Sequence, residues 1–196
     1  DKNIWATAYQ AHPYHHSTIG WRSDIENVPT ERLKEFYDTF YWPNNATVTV
    51  IGDFDKASIL ILLDQKFGSI SKSPHTIPEM YTTEPVQEGP RRVTVKRAGE
   101  MPIVGIAHKI PEGTNKDIYA LQILGRILGY GKTSRFYKKF IDTGLAADVS
   151  VWSHPLHDNG LFITYLFIAG EDPCEEVERG ILDEYAKIIS DGVEAE

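Results

Sequence analysis

Ala146-Ala147-Asp148-Val149-Ser150-Val151-Trp152 and Leu161-Phe162-Ile163-Thr164-Tyr165-Leu166-Phe167-Ile168-Ala169 decide the fold. Both runs are rich in β-branched and aromatic residues and are about the length of a buried strand. His154-Pro155-Leu156-His157-Asp158-Asn159-Gly160 joins them, and Asn159-Gly160 is a hairpin signal. Upstream, Pro102 to Ile110 alternates, placing Val104, Ile106, His108 and Ile110 on one face, and Arg92 to Arg97 alternates with Val93 and Val95 on one face. Between these strands and the hairpin lie two helical patterns. Thr114-Asn115-Lys116-Asp117 resembles a capping box before Ile118, Leu121, Leu124 and Leu128, which share a helix face. Gly129-Tyr130-Gly131 breaks that helix, and Thr133 caps a shorter one that turns Phe136, Tyr137, Phe140 and Ile141 inward and ends at Gly144. Past the hairpin, Asp172-Pro173-Cys174-Glu175 opens a helix with Val177, Ile181, Tyr185, Ile188 and Ile189 inward, ending near Asp191-Gly192. Paired strands beside helices predict an α+β fold, a two-layer α/β sandwich of mixed or antiparallel sheet with helices on one face. Trp152, Phe162, Tyr165 and Phe167 read as core.

The first part of the chain follows another order. Residues 1–12 resemble the end of a helix, and 13–28 read as a loop rich in His, Ser, Gly and Asp. Thr30 can cap a helix whose Leu33, Phe36, Tyr37, Phe40 and Tyr41 form one stripe, stopped by Pro43 and turned by Asn44-Asn45. Thr47 to Ile51 predicts a strand buried on both faces. Asp55 caps a second helix carrying Ile59, Leu62, Leu63 and Phe67, with Gly68 at its end. Residues 69–90, with Pro74, Pro78, Pro85 and Pro90, form the linker. The predicted domains are therefore 1–85 and 86–196.

Composition narrows the function classes. The chain has 196 residues, 20 basic against 28 acidic, a net charge of −8 and 41% hydrophobic residues. This balance argues against a nucleic-acid partner, whose phosphates need Lys and Arg. Cys174 is the only cysteine, so neither an intramolecular disulfide nor a thiolate metal cluster can form. No run approaches the ~20 apolar residues of a membrane span. The chain starts at Asp1 with neither an initiating Met nor a signal peptide, and reads as an excerpt of a longer protein. Bacterial periplasm and cytoplasm are both compatible with it.

Motif order then carries a resemblance. His12-Pro13-Tyr14, Ile19-Gly20, a helix ending Tyr41-Trp42-Pro43-Asn44-Asn45-Ala46, a hydrophobic run, Gly52-Asp53-Phe54 and a helix ending Lys66-Phe67-Gly68 resemble the pitrilysin/insulinase family of zinc metallopeptidases, which includes mitochondrial processing peptidase and bacterial zinc proteases. Asp117, Ala120-Leu121, Ile127-Leu128-Gly129-Tyr130-Gly131-Lys132-Thr133-Ser134-Arg135-Phe136-Tyr137 and Gly144-Leu145-Ala146 extend the likeness over nearly the whole chain. The resemblance implies the processing-peptidase-like metallohydrolase fold, with residues 1–85 the tail of one α/β repeat and 86–196 the opening of the next. It implies a parent that hydrolyses peptides with zinc. This piece would contribute substrate-chamber and inter-repeat surface without being catalytic. The alternative is a piece of a non-catalytic partner subunit of the same family. Implied partners are a peptide substrate, the rest of the parent chain or a family partner subunit, and a second copy of the fragment.

The zinc chemistry of that family rests on His-x-x-Glu-His with a distal Glu, two His and a Glu holding the metal. None of the seven histidines (His12, His15, His16, His75, His108, His154, His157) stands in that motif or in His-Glu-x-x-His. Hence no catalytic or metal residue is assigned, and zinc belongs to the parent. His12/His15/His16 and His154/His157 read as loop histidines, because Pro13 and Pro155 prevent a continuous helix from presenting them. Gly129-x-Gly131-Lys132-Thr133-Ser134 is not a phosphate loop: a Gly is needed where Arg126 stands, and a helix, not a strand, precedes it. The insulinase branch holds the substrate carbonyl with an Arg and a Tyr. The matching positions, Phe140 (or Ile141) and Ala147, have no side-chain donor, so that role is not carried over. Arg135 and Tyr137 are the substrate-binding candidates, against the alternative of structural helix residues, since Tyr137 also falls on the apolar stripe.

Overall fold

The computed structural model describes residues 1–99, 101–170 and 173–193. Its elements are, in order, α1 (Lys2–Ala8), α2 (Arg22–Asn27), α3 (Thr30–Phe40), α4 (Lys56–Phe67), β1 (Ile103–Lys109), α5 (Asp117–Gly129), β2 (Ala146–His154), β3 (Leu161–Ile168) and α6 (Cys174–Asp191). The chain divides into two compact units, one of residues 1–10 with 87–196 and one of residues 11–86. The first ten residues thus cluster with the second half of the chain, whereas sequence order grouped them with the first.

In the larger unit, β1, β3 and β2 form a three-stranded antiparallel sheet in that order. β3 is central, with Ile106 opposite Thr164 on one side and Val151 opposite Thr164 on the other. Side chains alternate across the sheet. Phe162, Leu166 and Ile168 enter a core with Leu128 of α5 and Val177 and Ile181 of α6, while Phe136 and Phe140 fill the space between. Thr164 and Tyr185 share a hydrogen bond of 2.6 Å on this face. Burial pushes the Tyr185 hydroxyl up to about 12, its bond to Thr164 acting the other way. On the opposite face Tyr165 donates to Asp1 at 2.7 Å. A Cβ added at Gly105 would lie 2.6 Å from Ile4 Cδ1, so α1 rests its Ile4 side chain directly on β1.

Several local expectations change. α5 begins at Asp117 with the Asn115 side chain accepting from its backbone N–H at 3.0 Å, not with a Thr114 cap. A short helix does follow Gly131, but it opens at Arg135 without a Thr133 cap, with Lys138 N–H donating to Ser134 C=O at 3.1 Å, and widens into a π turn over Tyr137–Ile141, closed by Asp142 N–H to Tyr137 C=O at 3.0 Å. Asn159-Gly160 does not make a two-residue turn. The hairpin pairs His154 with Leu161, leaving six residues between them, and Gly160 serves close approach, since a Cβ there would run into the His154 carbonyl. Ile189 is 86% exposed and Trp152 61%, so neither is core, whereas Phe162 is buried. Asp172 lies outside the described residues, and Arg92 to Arg97 forms no strand.

In the smaller unit, α3 and α4 stand where the stripes predict them, and Asp55 caps α4 by accepting from Ser58 N at 2.8 Å. α3 starts at Thr30 behind Pro29, without a side-chain cap. Residues 13–28 contain α2 besides loop. Glu84 accepts from Ala11 N and His12 N at 2.9 and 3.1 Å, tying the unit's two ends together. Thr47 to Ile51 is not a strand: no described residue pairs with it, and Ile51 is 92% exposed. A strand cannot exist without a neighbour to accept its ladder. Leu33, Phe36, Tyr37 and Tyr41 of the predicted stripe are likewise exposed.

Truncating the larger unit's core tests this packing. Phe140→Ala, at a fully buried ring, is expected to cost about 3–4 kcal/mol in urea unfolding, against under ~0.5 kcal/mol for Ile189→Ala at the exposed position.

Candidate functional site

Chemistry-bearing side chains gather where the π turn meets α6. Gly131, with φ of 80°, reverses the chain after α5, and Ser134 Oγ donates to Gly131 C=O at 2.8 Å to hold the turn. Phe136 and Phe140 then point into the core with ring centroids 5.7 Å apart. Arg135, Lys138 and Lys139 occupy the remaining directions. α6 passes beside them at Gly180, where a Cβ would sit 2.8 Å from the Phe140 ring and 3.3 Å from Lys139 Cε. That bare backbone admits Lys139, whose Nζ donates to Gly180 C=O at 2.9 Å and to Glu184 Oε1 at 3.1 Å. Lys187 donates to the same Oε1 at 2.9 Å, and Arg135 Nη1 stands 3.9 Å from Oε2.

Glu184 is nearly sealed, with 9% of its side chain exposed. Burial disfavours its charge, but the hydrogen bonds from Lys187 and Lys139 outweigh that and hold the carboxyl below its ordinary value. Arg135, Lys138, Lys139, Glu184 and Lys187 lie together on an open, shallow surface.

Tyr137 is half-buried and two residues from Arg135, a spacing at which helical side chains do not face each other. The structure therefore brings Arg135 to a charged cluster and leaves Tyr137 out of it. The histidines gather no ligand set. His12 Nδ1 accepts from Tyr14 N at 3.2 Å, His15 Nδ1 donates to the His12 carbonyl at 2.8 Å, and His154 packs edge-on against Trp5 at 5.5 Å. Burial also pushes the His154 imidazole down, favouring its neutral form. Among the described residues no group of three or more His, Cys, Asp or Glu could hold a metal ion, so zinc fits no constellation described here.

The profile of the family described as "Peptidase M16 inactive domain" matches residues 27–196. The chain belongs to the Peptidase M16 inactive domain family. "Zinc protease PqqE" of Helicobacter pylori is 35% identical over 175 residues, spanning 88% of this chain but 39% of that protein. The crystal structure of a protease from Helicobacter pylori superposes with a TM-score of 0.92 at 29% identity, over 98% of this chain and 47% of that one. The peptidase M16 inactive domain from Pseudomonas fluorescens shares the fold, with a TM-score of 0.83 at 20% identity over 98% of this chain and 46% of that one. This M16 inactive domain thus spans less than half the length of the relatives it matches.

Sequence reasoning picked out Arg135 of this M16 inactive domain and missed Glu184, Lys139 and Lys187. The Lys138-Lys139 pair and the i,i+3 spacing of Glu184 and Lys187 were visible signals of charge clustering. Removing the central carboxylate tests the cluster. Glu184→Gln is expected to cost about 2 kcal/mol at neutral pH, because it leaves cations facing one another. A lowered carboxyl pKa contributes stability above its ordinary value of 4.5 and loses it as pH falls through the folded value. The gap between wild type and variant in urea unfolding should therefore be full at pH 7 and close on acidification below that value.

Proposed function

We propose that this chain is the non-catalytic domain of a zinc peptidase, contributing substrate-chamber wall and inter-repeat surface while the metal and the hydrolysis belong to the rest of the parent protein. The match to a Helicobacter pylori protease over 98% of the chain, at a TM-score of 0.92, carries this reading. The tail of one repeat (1–85) and the opening of the next (86–196) remain its repeat assignment. Exposed apolar side chains support the docking half of the proposal. Leu33, Phe36 and Tyr37 on α3 and Val48 and Ile51 on the unpaired segment want cover. The rest of the parent chain, a family partner subunit or a second copy of the fragment supplies it. Peptide is the implied ligand, with Arg135 and Tyr137 as substrate-binding candidates, and Arg135 is the better placed of the two.

The reading is tested on the chain as it stands. Peptide hydrolysis assays with and without chelator, together with metal analysis, are expected to find no chelator-sensitive cleavage and no stoichiometric zinc. One tightly held zinc per chain, or cleavage abolished by chelator, would overturn it. Light scattering is expected to show association at high concentration, and a strictly monomeric chain would remove the docking half.

A further inference from the structure

We propose that the outward face of α5 pairs with the same face of a second copy of this chain, the two helices running antiparallel about a two-fold axis. The docking surface invoked above lies on the smaller unit. This one lies on the larger unit, and the inference goes beyond that reading by committing to one occupant.

α5 is apolar on two sides. Ile118 and Leu128 are buried, and Leu121 and Leu124 pack partly buried against the same core. Tyr119, Ile123 and the capping residue Tyr130 are instead 73%, 60% and 71% exposed. With Arg126 they are spaced i, i+4, i+7, i+11, which sets all four in one narrow stripe, about 16 Å long at 1.5 Å per residue. Between Ile118 and Gly129 the one charged residue is Arg126. The exposed positions of α6, by contrast, include Glu175, Glu176, Arg179, Asp183 and Lys187. A helix with apolar residues on every side is one that is built to be covered. Tyrosine and arginine are also the residues that contribute most where two proteins meet.

The order of the stripe names its occupant. Ile123 follows Tyr119 by four positions, and Tyr130 follows Arg126 by four. Turned end for end, the stripe therefore meets itself in register. Tyr119 faces the other copy's Tyr130 at both ends, and Ile123 faces the other copy's Arg126 in the middle. That reciprocity, in which one position meets a second and the second meets the first, is what a two-fold contact requires. Charge placement agrees with it. Arg126 lies over its own Tyr130 ring at 5.1 Å, so each guanidinium leans toward the C-terminal end of its own helix. The antiparallel pair carries the two cations to opposite ends, where each comes beside the other copy's Tyr119 ring. A parallel pair would set arginine against arginine. Each copy carries −8, and the stripe lets two such copies meet without opposing carboxylates.

The test is sedimentation velocity of the chain over rising concentration. A reversible dimer is expected, because one helix stripe is small beside a standard interface. Ile123→Lys sets a second cation against the other copy's Arg126 and is expected to weaken the dimer about tenfold. Ile123→Glu meets that arginine with the opposite charge and is expected to weaken it less. Arg126→Glu alone also weakens pairing, but mixing the Arg126→Glu chain with the Ile123→Lys chain is expected to restore it, since the new carboxylate then faces the new amine. Urea unfolding checks that the variants stay folded. Dimerisation that all three variants leave unchanged would overturn the inference while leaving the docking surface on the smaller unit in place. Weakened single variants with no recovery in the mixture would overturn the antiparallel register and the inference with it. A chain monomeric at every concentration would remove both, and the hydrolysis and metal assays would still judge the peptidase reading on their own.

Discussion

β3 is hydrogen-bonded along both edges and buried on both faces, and the rest of the larger unit is placed by it. Its neighbours β1 and β2 pair with it antiparallel, residue against residue from Leu161 to Ile168. Its alternation then decides which element covers which face. Phe162, Thr164, Leu166 and Ile168 meet α5 and α6, and Tyr165 meets the start of the chain through Asp1. A one-residue slip would exchange these sets and bury Tyr165 where Thr164 now meets Tyr185. The bulge at Ala147 lies near the start of β2, between Ala146 opposite Ile168 and Asp148 opposite Phe167, so the pairing beyond it stays in register.

This dependence explains which parts of the fold were legible in the sequence. Strands whose partners lie in the same unit, β1, β2 and β3, were readable from alternation and β-branched content, because packing and pattern agree there. Thr47 to Ile51 carries an equally strong strand pattern and forms none, since pattern states a demand for pairing and cannot supply the partner. Arg92 to Arg97 fails in the same way. Helix stripes show the same split. The face of α5 is covered, while that of α3 is exposed, though both were equally readable. Nothing in a stripe says what covers it.

The site was less legible than the fold, for a different reason. Arg135 stood out because it falls in a stretch with a family likeness. Glu184, the group that organises its surroundings, lies far along the chain on another element. Their meeting depends on two features with little local signature. One is the π turn, whose wide Tyr137–Asp142 bond no residue pattern announces. The other is Gly180, which reads in sequence as a defect in a helix and acts in the fold as the gap through which α6 receives Phe140.

That gap couples the charged cluster to the core. Phe140 fills the interior against Gly180, and its neighbour Lys139 is thereby delivered to the Gly180 carbonyl and to Glu184. A bulkier residue at 180 would push on the ring and on the lysine stem together, so packing and electrostatics cannot be altered separately there. Exposed lysines usually hold no fixed geometry, because a single surface ion pair offsets little of their rotamer entropy. Lys139 escapes that fate through the aromatic ring beside it. The placing of Lys139 beside Glu184 is thus a structural consequence of how the interior packs, and the pair holds its position for as long as the core does.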